Sequence, residues 1–326
     1  MTSLTHLVSR ANQAIEVNPP AANIDIHLTS HGSNWLWALF SVFSLFAVVH
    51  AFVYGFTSSE KKSLKKTLLV IPLFINAVMA YTYFTYASNL GWTSTPTEFQ
   101  HVTTSEDLDV RQIFYVKWVG YFLTWPLVLT IIEVTTQSTD FFEEGDILTK
   151  FFSLFSRLFA KILATEVFVI GLLIGALIES TYKWGYFTFS VTAQLFAEIY
   201  IFVNVMTAWR QSTQKLGLIL VLCQLVIWIL YPIAWGLSEG GNKIQPDSEA
   251  AFYGVLDFFT FFFIPVGLTW LAINNVDEEF FSKVWHLQLR KNTTSPAPDA
   301  EKDFGETPRH SGDTAVAPVG VPTDEQ

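Results

Sequence analysis

Seven stretches of this sequence are long and apolar enough to cross a lipid bilayer, and that restricts the fold more than any motif does. A hydrocarbon core about 30 Å thick asks for roughly 20 apolar residues in helical form. The windows are about Trp35–Phe56, Thr67–Leu90, Gln112–Thr135, Leu158–Ile178, Trp184–Ala208, Leu216–Leu237 and Ala250–Ile273. The first, second and sixth contain no Asp, Glu, Lys or Arg. Backbone N–H and C=O groups in hydrocarbon must pair within the chain, which makes each window a helix. The expected fold is an all-α membrane protein, a seven-transmembrane helix bundle. Composition agrees, since only 15% of residues are charged, against about 25% in soluble domains.

Lysine and arginine set the orientation. Four lysines, Lys61, Lys62, Lys65 and Lys66, fall in the loop after the first window; Arg210 and Lys215 follow the fifth; Lys283, Arg290 and Lys291 follow the seventh. These loops share one side, so the N-terminus is expected outside and the C-terminus in the cytoplasm. The opposite side carries the polar, acidic stretch Thr93 to Asp109 and the segment Ser238 to Glu249. The start of the chain lacks the basic residues and short apolar core of a cleavable signal peptide, so the first window is expected to direct insertion. The expected organisation is an extracellular N-terminal tail over residues 1–33, the seven-helix domain over 34–275, a juxtamembrane amphipathic helix over 276–291 and a disordered cytoplasmic tail over 292–326. The net charge of −10 lies mostly in tails and loops, which argues against nucleic acid and leaves membrane lipid as the expected partner. Cys223, the single cysteine, reads as a packing residue in an apolar run. His50 and His101 stand alone and read as incidental rather than as metal ligands, and the polar segments hold no nucleotide loop or nucleophile triad, so an enzyme is not expected.

Ionisable residues within membrane windows are costly and count as functional candidates. They are Lys117, Glu133, Lys161, Glu166, Glu198 and Asp257. Lys161 and Glu133 lie near the cytoplasmic ends, where long side chains reach toward the headgroups. Lys117 and Asp257 lie in the outer half at similar depth and are expected to form a buried charge pair, whose loss of one partner would strand a charge. The residues do not rank Glu166 against Glu198.

Three segments carry a family resemblance. The sixth window reads Trp228-Ile-Leu-Tyr231-Pro232-Ile-Ala-Trp235-Gly-Leu-Ser238-Glu239-Gly240, similar to a W-x-x-Y-P-x-x-W…S-E-G signature. The third reads Lys117-Trp-Val-Gly120-Tyr121-Phe-Leu-Thr124-Trp125-Pro126-Leu, against the pattern R-Y-x-D-W-x-x-T-T-P-L. Tyr83 in the second stands where a tyrosine holds an Asp257-type carboxylate. The chain resembles the microbial (type I) rhodopsins over roughly residues 30 to 280, and most of all their fungal opsin-related, plasma-membrane heat-shock branch.

The departures from that pattern carry the functional reading. The resemblance places the retinal-binding lysine at Phe261, four residues after Asp257, and phenylalanine cannot form an imine. It places the pump's proton acceptor at Gly120, its cytoplasmic donor at Ile131 and its ordering arginine at Lys117. Light-driven transport needs switchable proton donors and acceptors within hydrogen-bond reach, so no retinal cofactor is expected. What remains is a vestigial retinal pocket of Tyr83, Tyr121, Trp125, Trp228, Tyr231, Trp235, Asp257 and Phe261. Either it is an aromatic cavity for an apolar ligand, or Phe258, Phe261 and Phe262 fill it, as close packing favours. Tyr83 and Tyr231 are expected to hydrogen-bond Asp257.

By resemblance, the expected function is a non-photoactive plasma-membrane protein, a stress-linked regulator or scaffold that restrains the plasma-membrane proton ATPase and self-associates as rhodopsins do. Two alternatives stand beside it: a retinal photosensor using non-covalent binding or another amine, and a passive channel along Lys117, Asp257, Glu198 and Glu166.

Overall fold

The computed structural model describes residues 12–57, 63–100, 109–136, 147–211 and 215–275. Among them are seven helices long and apolar enough to cross a membrane: Ser30–Phe56, Leu68–Ala87, Tyr115–Thr136, Phe155–Ala176, Lys183–Arg210, Lys215–Gly240 and Pro246–Ile273. They are the first to seventh spans below, and each overlaps one expected window. The amphipathic helix expected over 276–291 and the tail over 292–326 lie outside the described residues, as do Lys61 and Lys62.

Consecutive spans pack side by side and the seventh returns to the first, closing a bundle. The third and seventh spans are the most enclosed and the first the least. Leu45, Phe52, Leu163, Phe196, Ile199 and Val226 point outward, as expected of helices whose outer solvent is lipid. Cys223 shares that outward surface. It is not the packing residue expected from its apolar run, because Ile219 and Val226, one turn to either side, set that face outward.

Two spans depart from α geometry where their interior residues matter most. The sixth passes into a π turn over Gly236–Gly240, and the extra residue per turn brings Ser238, Glu239 and Gly240 into the interior in succession. The seventh carries a second π segment, Phe258–Phe263, directly after Asp257. Such bulges cost helix regularity and cluster at functional positions.

The outer end is more ordered than a polar loop and an extracellular tail would be. Strand β1 (Thr93–Pro96) pairs antiparallel with β2 (Val110–Ile113), with Thr93 opposite Ile113. The chain before the first span adds a parallel bridge from Ile26 to Arg111 and buries Ile24, Ile26 and Leu28. The amide of Leu28 donates to Gln112 at 3.0 Å, and the amide of Thr29 to Asp247 at 2.8 Å. Two asparagines turn the corners with left-handed backbone, Asn89 at φ 56° and Asn242 at φ 51°, a region this residue type enters more readily than most.

A Cβ added at Gly240 would lie 2.5 Å from the rigid Trp235 ring, whereas one at Gly185 would meet nothing within 4 Å. Gly240→Ala is therefore expected to destabilise the protein by about 1–3 kcal/mol through overpacking, and Gly185→Ala to leave it no less stable. Parallel thermal melts of the two variants in one detergent check this.

Candidate functional site

Asp257 comes from the seventh span, just before its π segment, and is 1% exposed. Three phenols from three other spans donate to it: Tyr83 at 2.7 Å, Tyr121 at 2.9 Å and Tyr231 at 2.7 Å. Tyr83 and Tyr231 are the donors expected from the sequence. Tyr121 is an addition, and its ring also lies against Phe261 at 5.5 Å with 17° between planes. A buried carboxylate without donors is expensive. Here three helices converge on the seventh span to supply them.

The expected pair between Lys117 and Asp257 does not form. Lys117 instead bridges two glutamates, Glu239 at 2.6 Å and Glu249, and all three side chains are buried. Helix geometry explains the difference. Side chains lean toward the N-terminus of their helix, so Lys117, in the first turn of the third span, reaches back to the outer end. Asp257 lies eight residues beyond Glu249 on the seventh span, about 12 Å deeper at 1.5 Å per residue.

Arg111, from strand β2, completes this outer cluster. Its guanidinium donates to Glu249 at 2.6 Å, to the Asn242 side chain at 2.7 Å and to the Ile244 carbonyl at 2.9 Å. The Lys117 amine also sits 3.9 Å from the Tyr253 ring centroid. Two cations and two carboxylates thus balance within the low-dielectric outer end. Sequence reading missed Arg111, Glu239 and Glu249. One signal was available: Glu249 precedes Asp257 by two helical turns, which puts both on the inward face of one helix.

At the cytoplasmic end, Glu133 and Lys161 do not reach for the headgroups as expected. Both are 1% exposed, and they form an ion pair. The Lys161 amine also lies 4.9 Å from the Tyr200 ring. Between the two ends, Glu198 accepts from Gln194 at 2.6 Å. The Glu166 carboxylate oxygens are buried without a hydrogen-bond partner among the described residues. Lys117, Asp257 and Glu198, expected along one polar path, each have their own partners.

The remaining residues of the expected pocket do come together. Trp125 stacks on Trp228 with centroids 4.4 Å apart, and Trp125 meets Phe261 edge-on at 5.4 Å. Trp125, Trp228, Trp235 and Phe261 are each 0% exposed. Trp235 stands apart from this group, stacked on Phe187 at 5.2 Å and donating to the Leu172 carbonyl at 3.0 Å. Of the three phenylalanines expected to fill the interior, only Phe261 does so. Phe262 packs outward onto Phe46 of the first span at 4.2 Å, with Phe258 against it at 5.1 Å. The π segment turns these two away from the axis. At Gly120 an added Cβ would collide with Thr82 of the second span, so a carboxylate has no room at that position. His50, buried, bonds the Phe46 carbonyl at 2.7 Å, and His101 lies outside the described residues.

These residues do not fit a covalently held retinal. Position 261 offers a ring instead of an amine, and the ring is in contact on two sides. Lys117, an amine of the neighbouring third span, is committed to two carboxylates.

Seven membrane helices around an inward carboxylate, with facing aromatics on the third and sixth spans, define an opsin-type membrane protein. The chain belongs to the bacteriorhodopsin-like protein family, whose model matches residues 32–266. It is 36% identical to the 30 kDa heat shock protein of Saccharomyces cerevisiae over 94% of this chain and 92% of that protein. It is 34% identical to the opsin-like protein carO of Fusarium fujikuroi, over 85% and 89%. Among solved structures, a light-driven proton pump from Leptosphaeria maculans superposes with a TM-score of 0.60 at 23% identity, covering 83% of this chain and 100% of that one. That likeness is one of fold.

Removing Lys117 would leave two buried carboxylates facing one arginine. Lys117→Met is expected to cost about 3–5 kcal/mol, and Tyr231→Phe, which removes one phenol donor, about 1–3 kcal/mol. In double-mutant cycles Lys117 is expected to couple strongly to Glu249 and much less to Asp257. Unfolding free energies in detergent test both statements, and equal coupling to the two carboxylates would refute the assignment.

Proposed function

We propose that this protein is a non-photochemical member of its family that resides in the plasma membrane and acts by contact with other molecules, as a stress-linked regulator or scaffold. The carrying observation is Phe261. Where the resemblance places the imine-forming amine, a buried ring lies against Tyr121 and Trp125. Asp257, which would face the imine's positive charge, is served instead by three phenols. Gly120 leaves no carboxylate at the expected acceptor position, and Ile131 none at the expected donor position.

The heat-shock name of one relative supports the link to stress. The resemblance extends the proposal to a partner, the plasma-membrane proton-pumping ATPase, whose activity this protein would restrain. No catalytic group is invoked, and the protein is not proposed as an enzyme. Self-association in the membrane is part of the same proposal.

Two measurements test the reading. Adding all-trans retinal to the purified full chain is expected to leave only free-retinal absorption, with no band in the visible. In cells of its source exposed to heat or weak acid, deletion is expected to raise proton efflux through the ATPase. Unchanged efflux and growth would remove the proposed partner, and a covalent pigment would remove the non-photochemical reading itself.

A further inference from the structure

We propose that Trp125 closes the interior a second time, independently of the missing amine, so that restoring a lysine at position 261 does not by itself restore a site for a conjugated apolar ligand. The inference rests on the reading that the wild-type chain holds no covalent chromophore, and it adds a separate, steric cause.

Thickness excludes such a ligand. Carbon atoms in contact sit about 3.5–4.0 Å apart. A flat polyene held between two rings therefore needs their planes about 7–8 Å apart. Trp125 and Trp228 have centroids 4.4 Å apart and planes within 20° of parallel. They touch, and no slab passes between them. On the other side of Trp125, the edge contact to Phe261 at 5.4 Å and the stack of Phe261 on Tyr121 at 5.5 Å continue the same wall. The Tyr121 ring in turn meets Tyr231 edge-on at 5.7 Å. Rings from the third, sixth and seventh spans thus fill the bundle axis.

Replacing Phe261 by lysine removes one ring of that wall and fills part of the gained space with its own four-carbon stem. The Trp125–Trp228 stack stays as it is. Removing the Trp125 indole is different: it bares the face of Trp228, with Phe168 and Tyr231 beside it at 6.3 Å from Trp228 and 6.2 Å from the Trp125 position. That opening has the flat, aromatic-walled form a retinoid needs. Trp125 is thus a specificity-determining residue of the fold, one that excludes ligands of this class.

The test uses the full chain in detergent in four forms: wild type, Phe261→Lys, Trp125→Ala and the double variant. Two probes separate the causes. All-trans retinol has no aldehyde and reports only non-covalent space. All-trans retinal reports imine formation, in which the lysine nitrogen forms C=N, the carbonyl C=O breaks, and oxygen leaves as water with the two amine hydrogens.

Wild type and Phe261→Lys are expected to bind neither probe. Trp125→Ala is expected to bind retinol, with an enhanced retinol emission and a raised melting temperature. The double variant alone is expected to form a visible band that borohydride abolishes. Should Trp125→Ala fail to fold, Trp125→Leu serves in its place, since it keeps apolar volume while removing the flat ring. A visible band in Phe261→Lys alone, retinol uptake by wild type equal to that of Trp125→Ala, or a folded double variant without a band would each overturn the inference. A covalent pigment on the wild-type chain would instead overturn the reading beneath it.

Discussion

The bundle is organised around one buried carboxylate. Asp257 takes hydrogen bonds from Tyr83, Tyr121 and Tyr231, so the second, third, sixth and seventh spans are tied at a single point. Within hydrocarbon, van der Waals packing and interhelical hydrogen bonds hold helices together, because lipid tails are as apolar as the helices themselves. A carboxylate with three phenol donors from three helices is therefore a strong determinant of how those helices are placed. The same arrangement removes the need for a cation at that depth.

The charged groups at the two ends follow the same logic. Lys117 is shared between Glu239 and Glu249, and Arg111 fastens Glu249 to the strand that also carries the bridge to Ile26. The outer end is thereby sealed by a hairpin, the segment leading to the first span and a balanced cluster of charge. At the inner end, Glu133 and Lys161 neutralise each other. Buried ion pairs are weak evidence of net stability, but breaking one is costly.

Between the ends lies an interior of rings. Trp125, Trp228, Tyr121 and Phe261 are packed in mutual contact, and Gly120 sits flush against Thr82. A fold shared with a light-driven proton pump of Leptosphaeria maculans is here packed through its axis. Exposed apolar side chains lie on the outer surfaces of the described spans, where the proposed contacts would be made.

The sequence by itself determined the seven spans, because length and apolarity settle insertion into lipid, and it determined the chemical identity of position 261. The family resemblance of the second and sixth spans also brought Tyr83 and Tyr231 to Asp257 correctly. Pairing of charges was not legible. Lys117 and Asp257 look matched in depth when helices are drawn as ladders, yet the backward lean of helical side chains sends Lys117 to Glu239 and Glu249. The contribution of Arg111 depends on a hairpin within a segment that reads only as a polar loop. The fates of Phe258 and Phe262 were decided by a π segment, which rotates successive residues by less than an α-helix does, and no residue type in the run announces it. Periodicity along one helix is local and can be read from the chain. Which atoms meet across helices depends on tilt, side-chain direction and bulges, and those exist only once the bundle has packed.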